Sequence, residues 1–141
     1  MLLLAASVAC HAGSGCEEPD GAQVLDERVE VHIGDDTVLA ELADDPTERE
    51  RGWRKRSCDR DAILLVPDEP GPLPLWGCDL VDAVDAVGLR NDEVVYVAEV
   101  APCALPCGAC PTVGDGVTVD AVLETPVGLL DVEPGDPSMW P

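Results

Sequence analysis

The chain has 141 residues, of which 29 are acidic and 8 basic, so its formal net charge is -21. The length suits one small domain with a real core. So acidic a surface excludes nucleic acid as a partner, because phosphate backbones are bound by clustered cations. It also repels anionic membrane surfaces, so the only membrane attachment that we expect is a lipid anchor.

The amino terminus has the pattern of an export signal. Residues 1–9 are apolar and end in small residues, far short of the roughly 20 residues needed to span a bilayer, and Cys10 follows directly. This pattern predicts a signal peptide with Cys10 lipidated, as in a bacterial lipoprotein, and Cys16 as second choice. A secreted, soluble protein and a misread leader are the alternatives. Residues 10–22 form a polar tether, and residues 23–141 a single β-rich domain at the cell envelope or outside the cell.

Short strand patterns follow the tether and alternate with turn residues. The predicted strands are 28–33, 37–42, 62–66, a short or edge strand at 73–76, 84–89, 93–100 and 117–124. The continuous apolar stretch 62–66 should lie centrally, and residues 90–92 look like a hairpin tip. With one short helix, this content predicts a mostly β fold, either a small barrel or two packed antiparallel sheets.

The one predicted helix carries its own start and stop signals. Asp45 is placed as the N-cap, Pro46 as the first helical residue and Glu48 at the capping-box position. The helix should run from Pro46 to about Arg51, where Gly52 can end it in the left-handed conformation. Six of the eight basic residues fall within residues 49–60. They form either a docking patch for an anionic partner or a solvated face that offsets the acidic surface.

The seven cysteines favour an exported protein held together by disulfides. If Cys10 carries lipid, an even set of disulfide candidates remains, in pairings that the sequence cannot choose between: Cys16, Cys58, Cys78, Cys103, Cys107 and Cys110. The spacing of the last three also occurs in iron–sulfur and redox proteins. Thiol redox or metal handling at this loop is therefore an alternative function, although we expect disulfides there, with no cofactor and no bound metal.

A series of landmarks in a fixed order carries a family resemblance. They are residues 45–53, 62–67, 70–72, 75–76, 84–85, 101–103, 110–111, 122–124 and 134–136. Their order and spacing resemble domain of unknown function 192 (DUF192), which implies a small β-rich barrel with a helix, often exported. The family usually reads Phe-Trp-Met-Lys-Asn-Thr where this chain has residues 75–80, and Tyr where it has Val113. A function carried by the Asn-Thr pair in relatives is therefore in doubt here.

The resemblance places any site around Trp76, Asp79, Asp85 and Glu124. Trp76 offers a flat platform for a sugar or similar ligand, with Asp79 beside it, or else fills the core. Asp85 and Glu124 are candidates for a general acid and base if their strands are adjacent, and otherwise Asp85 fixes a turn. We expect a non-enzymatic envelope module that binds a small ligand or protein partner. A hydrolase-like enzyme with paired carboxylates is the alternative.

Overall fold

The structure is a computed structural model that describes residues 21–57 and 62–141. Within them the helix is α1 (Pro46–Arg51), and the strands are β1 (Arg28–Ile33), β2 (Asp36–Ala43), β3 (Ala62–Leu65), β4 (Gly71–Pro72), β5 (Leu75–Trp76), β6 (Val84–Arg90), β7 (Glu93–Val100), β8 (Thr112–Val113), β9 (Thr118–Val119), β10 (Ala121–Pro126) and β11 (Ser138–Met139). The leader, Cys10, Cys16 and Cys58 lie outside the described residues. In the described part, no helix has the length and apolar character needed to cross a membrane.

Seven strands form one nearly closed, barrel-like sheet in the order β11-β1-β2-β3-β10-β6-β7. Its two edges meet, because Glu93 of β7 forms a bridge with Pro137 and the backbone N–H of Ser138 donates to the Asp92 carbonyl at 2.8 Å. The short pairs β4–β9 and β5–β8 form two further small sheets. The predicted mostly β fold with one short helix is confirmed, in its barrel form.

Strand β3 lies in the middle of this sheet, as its continuous apolar sequence predicts, and all four of its residues are buried. Because side chains alternate along a strand, Ala62 and Leu64 face one core while Ile63 and Leu65 face the other. The first core also holds Val31, Ile33, Val38, Ala40, Val87, Leu89, Val94, Ala121 and Leu123. The second core also holds Ala43, Trp53, Leu75, Val84, Ala86, Val100, Val119 and Val122.

Helix α1 has the predicted bounds and the predicted cap. Asp45 accepts a hydrogen bond from the Glu48 backbone N–H at 2.9 Å, and the Glu48 side chain accepts from the Asp45 N–H at 3.4 Å. Gly52 ends the helix with a φ of 44°, although its ψ of -129° lies outside the left-handed helical region. Strands β2 and β3 are parallel, so the chain must cross over between them, and α1 is part of that crossover.

The predicted strand at 117–124 is wrong as one element, because Asp120 separates β9 from β10. The Asp120 carboxylate accepts from the Asn91 backbone N–H at 2.8 Å and from the Arg90 guanidinium at 3.1 Å. Asp120 therefore holds the tip of the β6–β7 hairpin. The predicted strand at 73–76 is reduced to β5, which begins after Pro74, a residue with no N–H to donate.

A cleft closed by a buried carboxyl group

A cleft of about 310 Å³ opens between α1 with its following loop and residues 73–76. Its lining combines apolar and aromatic side chains with three arginines and two glutamates: Pro46, Arg49, Glu50, Arg51, Gly52, Trp53, Arg54, Leu73, Pro74, Leu75, Trp76, Leu80 and Glu124. This volume is at the lower end of the range for small-molecule sites, roughly 300–1,000 Å³. Trp76 is 36% exposed at the rim, whereas Glu124 of β10 is 6% exposed.

The carboxyl group of Glu124 is held by the end of α1. It lies against Gly52, where a Cβ atom would come within 3.1 Å of Oε2, and the backbone N–H of Trp53 is close enough to lower its pKa. Glu124 Oε2 is buried without a hydrogen-bond partner among the described residues. An unpaired buried polar atom costs about 1–3 kcal/mol, and Glu124 is part of the cleft lining.

Burial sets the protonation of this group. Loss of solvent raises the pKa of Glu124 to about 7, although the Arg56 charge and the Trp53 N–H both lower it. Burial, and then the charge of Glu124, raise the pKa of Tyr96 to about 12. Near neutral pH the Glu124 carboxyl therefore exists in both forms, and it can either donate or accept a hydrogen bond.

Arg56 fits neither interpretation of the basic cluster, because it is buried with only 1% of its surface exposed. Its guanidinium pairs with Glu41 at 2.6 Å, donates to the Gln23 carbonyl at 3.0 Å and lies 5.1 Å from the centre of the Trp53 ring. Gln23 in turn donates to the Gly52 carbonyl at 3.0 Å. This buried network fixes the loop after α1, and with it the wall of the cleft.

Asp79 is not among the residues that line the cleft, but it bonds to residues at its rim. Its carboxylate accepts from Arg54 at 2.8 Å, and its carbonyl accepts from the Lys55 N–H at 2.7 Å. The Arg54 hydrogen bond lowers the pKa of Asp79, and the charges of Arg54 and Lys55 add to this. Asp79, a predicted ligand contact, thus positions Arg54, which lines the cleft together with Trp76.

Asp85 and Glu124 are on adjacent strands, as the paired-carboxylate hypothesis required, but the register separates them. Asp85 is opposite Thr125 and Glu124 is opposite Ala86, so the two carboxylates point to opposite faces of the sheet. Asp85 accepts from the Gly128 N–H at 2.9 Å. That contact matches the turn-fixing alternative for Asp85. The prediction that Asp85 and Glu124 form a carboxylate couple is wrong, because the two side chains are on opposite faces of the sheet.

The cysteine loop is joined to the rim of the cleft by disulfides. Cys78 pairs with Cys107, and Cys103 pairs with Cys110, so these four candidates form disulfides as predicted. Ligand atoms of Cys78, Asp79 and Cys107 lie within 4.8 Å of one another. However, the two sulfur atoms are bonded to each other, so this state offers no pair of thiolates to a metal.

Sequence reasoning missed the residues that make the cleft around Glu124. Trp53, Arg54 and Arg56 were read only as parts of a landmark or a basic run. One signal was present, since a Trp in the middle of a strongly basic segment implies that the segment turns one side toward the core. No comparable signal marks Arg56, which lies in the loop after α1, because its acidic partner Glu41 is on strand β2.

The fold and cleft define a small, mostly β, barrel-like domain with a basic rim and a buried acid. The family model described as DUF192, an uncharacterised ACR family, matches residues 29–139, and the chain belongs to this family. Among proteins with curated descriptions, none matches the sequence.

Two solved structures share this fold. A Sinorhizobium meliloti 1021 protein described as a candidate transcription regulator is 24% identical with a TM-score of 0.69, covering 84% of this chain and 97% of its own. A protein of unknown function from Novosphingobium aromaticivorans DSM 12444 is 22% identical with a TM-score of 0.66, covering 80% of this chain and 85% of its own. At these identities the likeness extends to the fold alone.

Proposed function

We propose that this protein is a small-ligand-binding module whose site is the cleft between Trp76 and Glu124. The observation that carries the proposal is the unpartnered, buried Oε2 of Glu124 in a cleft lined by Trp53 and Trp76. Indole rings supply large flat contact surfaces, and a single buried polar group can orient a ligand. A bound molecule with one hydrogen-bonding group would partner the Glu124 carboxyl, cover the exposed ring of Trp76 and meet the part of Trp53 that lines the cleft.

The two alternative functions have weaker support. The hydrolase hypothesis pairs Asp85 with Glu124, and Asp85 is on the opposite face of the sheet. Thiol redox or metal handling would need free thiols at the cysteine loop, where Cys103, Cys107 and Cys110 all form disulfides. Binding needs only the groups that already line the cleft.

We further propose that the module acts at the cell envelope or outside the cell, anchored through Cys10. Disulfides persist mainly in oxidising compartments, and two are present among residues 78–110. Mass spectrometry of the protein from its native host tests this proposed location. We expect a mature chain that starts at a lipidated Cys10, and an unprocessed chain with reduced thiols in the cytosol would contradict it.

Fluorine NMR tests the binding proposal directly, because the chain has three tryptophans and two of them line the cleft. We would label the protein with 5-fluorotryptophan and assign each resonance by single Trp→Phe substitutions. Phenylacetamide, phenylacetate, 2-phenylethylamine and methyl β-glucopyranoside would then be titrated separately. Trp140, which packs against the first core, serves as an internal control.

The proposal predicts that at least one probe shifts the Trp53 and Trp76 resonances in a saturable way while Trp140 stays fixed. The Glu124→Gln variant should change the affinity, because the buried group that meets the ligand is altered. Shifts of all three resonances together, or no saturable shift with any probe, would count against a binding cleft.

A further inference from the structure

The basic residues of this acidic chain are concentrated around the cleft. Three of the eight basic residues, Arg49, Arg51 and Arg54, line it. Among the described residues, the same lining contains two acids, the exposed Glu50 and the buried Glu124. On a body with a net charge of -21, a lining with three arginines is a local exception to the acidic surface.

The ion pairs of the rim leave cationic groups for a ligand. Arg49 pairs with Asp68 at 3.5 Å and Arg54 with Asp79 at 2.8 Å. Neither aspartate lines the cleft, so both hold their arginines from outside it. A guanidinium has five N–H donors in a rigid fork. Arg49 also donates to the Asp44 and Val66 carbonyls, so most of its donors are taken. Arg54 bonds to Asp79 and Cys78 through Nη2, which leaves other donors of its fork for a ligand. Arg51, the last residue of α1, is exposed and makes no ion pair to a described residue.

We propose that the cleft takes a small organic anion with an apolar ring or chain, its charged group at the Arg51 end and its body between Trp53 and Trp76. This inference rests on the proposed function and names its ligand class. The apolar body is called for by the rest of the lining, which includes Leu73, Leu75, Leu80 and two prolines. A carboxylate is the simplest group that matches the planar donors of an arginine.

The acid at the buried end of the cleft makes this preference depend on pH. Arg56 and the Trp53 N–H face Glu124, Tyr96 is close enough to feel its charge, and the charged groups of the rim are Arg49, Glu50, Arg51 and Arg54. Neutral Glu124 adds no negative charge to the cleft, whereas ionised Glu124 repels a bound anion even without touching it. Anion affinity should therefore fall as the pH rises through about 7, the pKa of Glu124.

The test compares phenylacetate, phenylacetamide and 2-phenylethylamine, which share the ring and differ mainly in charge. Dissociation constants are read from the Trp53 and Trp76 fluorine shifts at pH 6 and low salt. Phenylacetate should bind about threefold to fivefold tighter than phenylacetamide, the size expected for one partly exposed ion pair. At pH 8.5, and at high salt, this preference should shrink.

Two substitutions that change the charge of the cleft lining in opposite directions provide the sharper control. Arg51→Gln should weaken phenylacetate binding and leave phenylacetamide unchanged, and Glu50→Gln should strengthen phenylacetate binding. Arg28→Gln, an exposed arginine of β1 outside the cleft lining, should change neither. All three variants alter exposed side chains, so the melting temperature of each should stay close to that of the wild type.

The outcomes separate the two proposals. Equal binding of acid and amide, tightest binding of the amine, or an Arg51→Gln effect that is the same for both ring probes would overturn the anion inference while leaving a binding cleft. If no probe shifts Trp53 and Trp76, the proposed function fails and the anion inference fails with it.

Discussion

The Glu124 carboxyl lies so close to Gly52 that a Cβ atom added there would come within 3.1 Å of Glu124 Oε2. Gly52 also has a φ of 44° and a ψ of -129°, a combination that side chains rarely tolerate. The end of helix α1 can therefore meet the carboxyl only if this residue has no side chain. One glycine thus provides both the helix stop and the close approach that shapes the cleft.

We predict that Gly52→Ala lowers the free energy of unfolding by about 3 kcal/mol, since backbone strain and contact with a buried carboxyl add together. Gly128→Ala is the matched control, because Gly128 has a φ of 79° and nothing within 4 Å of the added carbon. It should lose only about 1 kcal/mol. Urea denaturation measures both, and equal losses would mean that the contact with Glu124 is unimportant.

Glu124 should make stability depend on pH in a direction unlike that of most paired carboxylates. Its pKa is raised from 4.5 to about 7 in the folded protein, so the folded state binds more protons than the unfolded state between these values. Stability from this group is thus fully present below pH 4.5 and is lost as the pH rises to about 7. The loss is on the order of 3 kcal/mol.

Glu124→Gln removes this titration while keeping the shape of the side chain. We expect the variant to have about wild-type stability at pH 5 and to be more stable than the wild type by up to about 3 kcal/mol at pH 8.5. Glu69→Gln, at an exposed position, should show no such trend. A difference between Glu124→Gln and wild type that does not vary with pH would contradict a buried, titrating Glu124.

Much of the local structure was predictable because its signals are local. Asp45, Pro46 and Glu48 fix the start of α1 within a few residues, and a period-two pattern fixes β1. The orientation of Glu124 was not predictable, because it depends on the pairing of β10 with β6, which the sequence does not encode at short range. The burial of Arg56 was equally hidden, since an arginine is normally exposed unless a distant partner meets it.

The buried pair of Arg56 and Glu41 should be far more sensitive to a single change than to a double one. Arg56→Met removes the cation that pairs with Glu41 at 2.6 Å, and we expect a loss of about 3–5 kcal/mol. Adding Glu41→Gln removes the charge that Arg56 balanced, so the double variant should recover part of that stability. A double-mutant cycle by urea denaturation measures the coupling, and strictly additive losses would show that the two side chains do not interact.

The two disulfides should contribute unequally because they close loops of different length. The Cys78–Cys107 bridge spans 29 residues and the Cys103–Cys110 bridge spans 7. Loop-closure entropy then predicts losses of about 3.5 and about 2.5 kcal/mol when each pair is replaced by alanines. Urea denaturation of the two double variants gives the order. The reverse order, or no loss in either variant, would contradict these bridges as structural staples.

The central claim is that the Glu124 carboxyl is the buried group that a ligand meets, and carbon-13 NMR of this carboxyl tests it most directly. With glutamate labelled at the side-chain carboxyl carbon and the signal assigned by Glu124→Gln, we predict a titration midpoint near pH 7. We further predict that saturating phenylacetate or phenylacetamide moves that midpoint. A midpoint close to the ordinary value of about 4.3, unmoved by a probe that binds, would contradict the account.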